Sequence, residues 1–199
     1  MIEAVQSHPR WMFVSRNHVF IAKSGDMFVE ELEAQGAGRI EFASSGEALC
    51  LRPVSDNMPL LWFHEDECAD GAFIMDDDKG IHIHLVELKS TVNVGKWSKA
   101  RRQFEGMYAN AIAVLGFFDM GIPHRITCHL ALKKENISRS TRSNPALQKR
   151  LIGRPVSATG DFLPTQEQFT GGVIDLMDIK NVPVRLIWRD HAGNGAATL

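Results

Sequence analysis

The stretch GAFIMDDDKGIHIHLVELK, residues 71–89, constrains the fold more than any other part of the chain. Two apolar runs flank the polar DDDKG, whose carboxylates and closing glycine suit a tight turn. The spacing predicts an antiparallel β-hairpin. Successive strand residues point to opposite sides, so Glu87 and Lys89 share one side of the second strand. Burying that side without partners would cost several kcal/mol per ion. The two charges therefore reach solvent or meet compensating groups.

A compensating arrangement is available within the hairpin. Pairing of 73–75 with the start of 81–86 carries Asp70 to the end where Glu87 and Lys89 sit. Two carboxylates that close repel each other unless a cation joins them. Mg²⁺ suits such a pair, because it prefers oxygen and often takes only one or two protein carboxylates plus waters and substrate phosphate. The Leu88 main-chain carbonyl could complete the shell. Lys89 would then face a phosphate, where an ammonium orients water or stabilises developing negative charge.

The surrounding pattern reads as α/β. SGDMFVEELEAQGAG, 24–38, is expected to be a helix, capped by Ser24 or Asp26 and ended near Gly36 and Gly38. NHVFIAK predicts a short strand, and GRIEFASSGEALCLRPV predicts two around Ser45-Gly46. In KWSKARRQFEGMYANAIAVLGF, the residues Trp97, Ala100, Phe104, Met107, Tyr108, Ala111 and Leu115 fall on one helical face. HRITCHLALKK and VPVRLIWRD read as strands. ENISRSTRSNPALQKRLIGRP reads as a basic loop with a short helix after Asn144-Pro145, and HAGNGAATL as a frayed tail.

Asp70 with Glu87-Leu88-Lys89 on a hairpin, followed by small polar residues and a helix, resembles the PD-(D/E)XK nuclease superfamily. The resemblance covers about 24–134 and places 135–199 as an extension of a single domain. It implies a restriction-endonuclease-like core of helix, three antiparallel strands, helix and strand, a central mixed sheet flanked by helices. It implies that Asp70, Glu87 and the Leu88 carbonyl bind Mg²⁺, which Mn²⁺ could replace, and that Lys89 acts at the scissile phosphate. Ala69 stands where the name-giving proline would be. The family often adds an acid from the first helix, and Glu31, beside the Phe28 and Leu32 stripe, is chosen over Glu30. Gln103 is similar to the glutamine of the RecB-like QxxxY pattern, although Tyr108 follows it by five residues rather than four.

Charge distribution adds a nucleic-acid expectation. Residues 1–95 carry 16 acids and 7 bases; residues 96–199 carry 8 acids and 15 bases. Lys96, Lys99, Arg101 and Arg102, with Arg139 and Arg142 further on, could neutralise phosphates. DNA is expected ahead of RNA, and a homodimer would suit cutting two strands. The alternatives are a nucleic-acid-binding subunit that is inactive alone or works within a larger complex, and a protein-interaction domain. Cys50, Cys68 and Cys128 form no CxxC pair and read as reduced, buried thiols of a cytoplasmic protein. No secretory leader or membrane span is expected from the N-terminus or the hydropathy. His82 and His84 face away from Glu87 and lack an evident third metal ligand. Ile81 stands where a calcium-binding EF-hand loop needs glycine, and no Walker, dinucleotide-binding or serine-hydrolase motif is present.

Overall fold

The computed structural model describes residues 1–32, 37–53, 67–137 and 168–199. The expected hairpin is its centre: β5 (Gly71–Asp77) and β6 (Gly80–Val92) pair antiparallel, with Phe73 opposite His84 and Asp77 opposite Gly80. Asp78 and Lys79 make the turn; the Lys79 N–H donates to Asp77 Oδ1 at 2.8 Å, and Gly80 adopts a φ of +125°. Both faces of β6 are buried, which explains its nearly unbroken apolar run. Ile81, Ile83 and Leu85 face one core; Val86 and Leu88 face another.

After β6 the chain enters α2 (Val94–Phe117), whose Asn93 cap accepts the Lys96 N–H at 2.9 Å. The predicted apolar face of α2 is buried against β5 and β6. The chain returns as β7 (Arg125–Glu135), parallel to β6, so that α2 is a crossover helix. On the far side β9 (Ile179–Trp188) runs parallel to β7, and β8 (Val173–Leu176) pairs antiparallel with β9. On the near side β4 (Ala48–Leu51) pairs with β5, and β1 (Val19–Ala22) with β4, both antiparallel. The result is a mixed seven-stranded sheet, β1-β4-β5-β6-β7-β9-β8. The short helix α1 (Ile2–Ser7) buries Ile2 and Val5 in the same core as α2.

Among the described residues the second face is covered by a three-stranded sheet instead of a helix. Its order is β10 (Gly195–Thr198), β3 (Gly38–Ala43), β2 (Phe28–Glu31). Met27, Val29, Ile40 and Phe42 pack there against Phe73, Val86, Leu88 and Ile187. Two sequence expectations are corrected here. The expected helix over 24–38 is not formed by its described residues 24–32 and 37–38: the buried residues Met27 and Val29 repeat every second position, and Val29 pairs with Ile40. Leu32, which with Phe28 imitated a helical stripe, is 80% exposed. The tail is not frayed: β10 pairs parallel with β3, and the Leu199 N–H donates to the Ala43 carbonyl at 3.0 Å. The two strands around Ser45-Gly46 are present as β3 and β4, one in each sheet. The basic connection after residue 137, with Arg139 and Arg142, lies outside the described residues. Among the described residues no helix is long and apolar enough to cross a membrane.

Candidate active site

The hairpin register sets the site. Gly71 is opposite Val86, so Asp70 stands just beyond the ladder, and its Oδ2 accepts the Leu88 N–H at 2.6 Å. A strand residue's N–H and C=O point to the same edge, so the Leu88 carbonyl also turns toward Asp70. The Leu88 side chain is buried on the other face.

α2 fixes the approach to Asp70. The Ala69 N–H donates to the Gln103 carbonyl at 3.0 Å, and Gln103 Nε2 donates to the Cys68 carbonyl at 3.3 Å. Asn110 Nδ2 donates to Cys68 Sγ at 3.3 Å. Gly106 makes this contact possible: a Cβ there would lie 2.0 Å from the Glu67 carbonyl oxygen. Gln103 is thus placed to hold the strand that delivers Asp70. Its Oε1 is buried with no hydrogen-bond partner among the described residues.

Glu87 faces the α2 side and is wholly enclosed, at 0% exposure. Lys89 Nζ donates to its Oε1, while Oε2 is buried with no partner among the described residues. Burial first, and the neighbouring Asp70 charge second, push the Glu87 carboxyl well above its ordinary pKa; the Lys89 charge pulls it down. The question raised by the sequence is answered by partners rather than exposure. Lys89 itself keeps 18% of its side chain in contact with solvent.

The other candidate residues divide. Glu31 lies on β2, with Val29 buried and Glu30 exposed on alternate sides. Lys96 and Lys99 are exposed, and they precede Gln103 by seven and four residues, which places them on its stripe of α2. Arg102 pairs with Glu67, Nε to Oε2 at 3.3 Å. On β8, Lys180 chiefly, and the charge of Arg101 more weakly, hold the Asp175 carboxyl below its usual range. His82 and His84 lie on the opposite face of β6 from Glu87, as do Val86 and Leu88. The three cysteines are free thiols.

Sequence reasoning missed Arg189. It is 6% exposed; Nε donates to the Gly193 carbonyl at 2.7 Å and Nη2 to the Ala37 carbonyl at 2.8 Å. Burial lowers its pKa, and the charges of Asp70 and Glu31 raise it, so this cation senses both acids. Gly38 and Gly193 cradle it: a Cβ on Gly38 would lie 1.9 Å from Nη2. The available signal was the paired glycines, which leave room beside a buried guanidinium.

Among the described residues no three His, Cys, Asp or Glu side chains are arranged to hold a metal ion together. The two carboxylates, the orphaned Glu87 Oε2 and the adjacent Leu88 carbonyl do fit Mg²⁺, the ion that most readily keeps its waters. Comparison with family models, curated proteins and solved structures gave no match.

Proposed function

We propose that this protein is a metal-dependent nuclease of PD-(D/E)XK type that hydrolyses phosphodiester bonds, in DNA ahead of RNA. The observation that carries the reading is the convergence of Asp70 on the Glu87-Leu88-Lys89 segment, tied by the 2.6 Å bond to the Leu88 N–H. Strand order supports it: β4, β5 and β6 run antiparallel, α2 follows, and β7 returns parallel to β6. α1, rather than the segment 24–38, is then the helix that precedes the strands.

In this reading Asp70, Glu87 and the Leu88 carbonyl hold Mg²⁺, or Mn²⁺ in its place. The ion supplies Lewis-acid charge to the phosphate and acidifies a bound water. Lys89 donates hydrogen bonds to a non-bridging phosphate oxygen and stabilises charge that grows there. Gln103 and Gly106 fix the Cys68–Asp70 segment, so that Asp70 does not drift. Lys96 and Lys99 meet flanking phosphates through charge alone, which confers affinity without sequence preference.

The test uses the purified protein on plasmid, linear duplex and single-stranded substrates with Mg²⁺, Mn²⁺ or EDTA. Cleavage is expected with either metal, none with EDTA, and none from Asp70→Ala, Glu87→Ala or Lys89→Ala. Equal cutting by all three variants removes the assignment. A second reading, a nucleic-acid-binding subunit active only within a larger assembly, is favoured by the complete enclosure of Glu87. It expects salt-sensitive binding without turnover by the isolated chain.

A further inference from the structure

Lys89 has two possible stations. In the structure its ammonium is bound to Glu87 Oε1, inside the site. Yet 18% of the side chain reaches solvent, so the four-carbon stem has an open direction to swing into. Glu87 has none: its side chain is fully enclosed. One of its oxygens is taken by Lys89, and the other has no partner among the described residues. A carboxylate this enclosed, whenever it is ionised, requires a cation next to it. Lys89 is the cation that meets this requirement in the described molecule.

We propose that Lys89 is an internal competitor for the metal: it neutralises Glu87 when no divalent ion is bound and is displaced toward the substrate side when one binds. This rests on the metal reading of Asp70 and Glu87. A divalent cation at those carboxylates supplies the compensation that Lys89 otherwise gives, and like charge expels the ammonium. Metal affinity and Lys89 position are then reciprocally linked. One consequence is economical: the ammonium moves to the phosphate side only after the site is loaded. The other is unexpected for a residue that acts in catalysis, because removing it strengthens metal binding.

Mn²⁺ binding to the full chain, followed by titration calorimetry without nucleic acid, tests this. Lys89→Met is expected to bind Mn²⁺ about tenfold more tightly than wild type, and Glu87→Gln and Asp70→Asn to lose binding. Should Lys89→Met bind no more tightly while the two acid variants still lose binding, the competition is refuted and the metal site stands. If the acid variants bind as wild type does, the metal reading itself fails. A second measurement uses unmodified protein, independent of how the Lys89 variant folds. Acetylation of Lys89, read by mass spectrometry, is expected to quicken several-fold on adding Mn²⁺. A rate unchanged by saturating Mn²⁺ overturns the proposal.

Discussion

The two faces of β6 bury polar groups by opposite means. On the α2 face Glu87 is enclosed as a member of an ion pair, beside a second carboxylate. On the other face His82, His84 and His129 are buried as neutral imidazoles. His82 Nε2 lies 2.9 Å from Thr127 Oγ1, and His84 Nδ1 lies 3.0 Å from His129 Nε2, one ring nitrogen donating to the other. Burial, reinforced by neighbouring imidazoles and by Arg125 and Arg185, pushes His82 down to about 4, His84 to about 2 and His129 to about 3. The histidine face pairs its rings through hydrogen bonds and leaves one buried nitrogen, His129 Nδ1, with no partner among the described residues. The Glu87 face also keeps an orphaned oxygen, but it adds a clash of like charges, which a stable core does not need.

Substitutions on each face should separate them. Asp70→Asn and Glu87→Gln are expected to lower Mg²⁺-dependent cleavage by roughly 10³-fold or more, the scale of removing a principal electrostatic element. His84→Leu combined with His129→Leu should leave the cleavage rate within a few-fold of wild type, because an apolar pair replaces a hydrogen-bonded one of similar shape. A loss of cleavage in the histidine variant, with folding intact by circular dichroism, erases the distinction.

Acid unfolding is the next largest effect. A histidine whose folded pKa is depressed stays neutral in the fold while the unfolded chain takes up a proton. Its contribution to stability is therefore complete above 6.5 and is lost as pH falls. All three imidazoles act between 6.5 and about 4, and His84 and His129 continue below that. The combined loss is on the order of 5 kcal/mol by pH 5. Urea melts at stepped pH check this, and the double leucine variant should flatten the acid limb by more than half. Glu87 has the opposite sign: its raised pKa costs stability as pH rises above the ordinary carboxyl value. Glu87→Gln should therefore melt at or above the wild-type temperature near pH 8, without metal; a clear drop would show that the ion pair stabilises the fold.

Gly106→Ala tests how the site is aimed. The new Cβ must displace the Glu67 carbonyl, at a cost of about 1–3 kcal/mol, and the shift passes to Asp70. Cleavage should fall more than stability explains, as read under conditions where the variant is fully folded. The smallest effects belong to the surface. Lys96→Ala and Lys99→Ala should each reduce the slope of log affinity against log salt by about one. Arg102→Ala should change it less, since Glu67 already neutralises that guanidinium.

What was readable in the sequence follows where pattern and burial agree. The β5–β6 hairpin and α2 announce themselves, because one turn signal and one period of 3.6 dominate their segments. The convergence of Asp70 on Glu87 was legible as soon as the hairpin was, since register follows from the turn. β2 was misread because Phe28 and Leu32 stand four apart, while the pair that decides its packing, Met27 and Val29, stands two apart. β10 is short and made largely of alanine and glycine, and its place depends on β3, more than 150 residues earlier in the chain. Arg189 was hard to read for a similar reason: Gly193 lies four residues on, but Gly38 and the acids Asp70 and Glu31 come from distant segments.

The most direct test of the central claim is the rate at which the purified protein cuts supercoiled plasmid as Mg²⁺ is titrated, run beside Glu87→Gln. The account predicts a rate that rises and saturates with Mg²⁺, vanishes on adding EDTA, and is absent in the variant at every concentration. Cutting that ignores Mg²⁺, or that survives in Glu87→Gln at the wild-type rate, would contradict it.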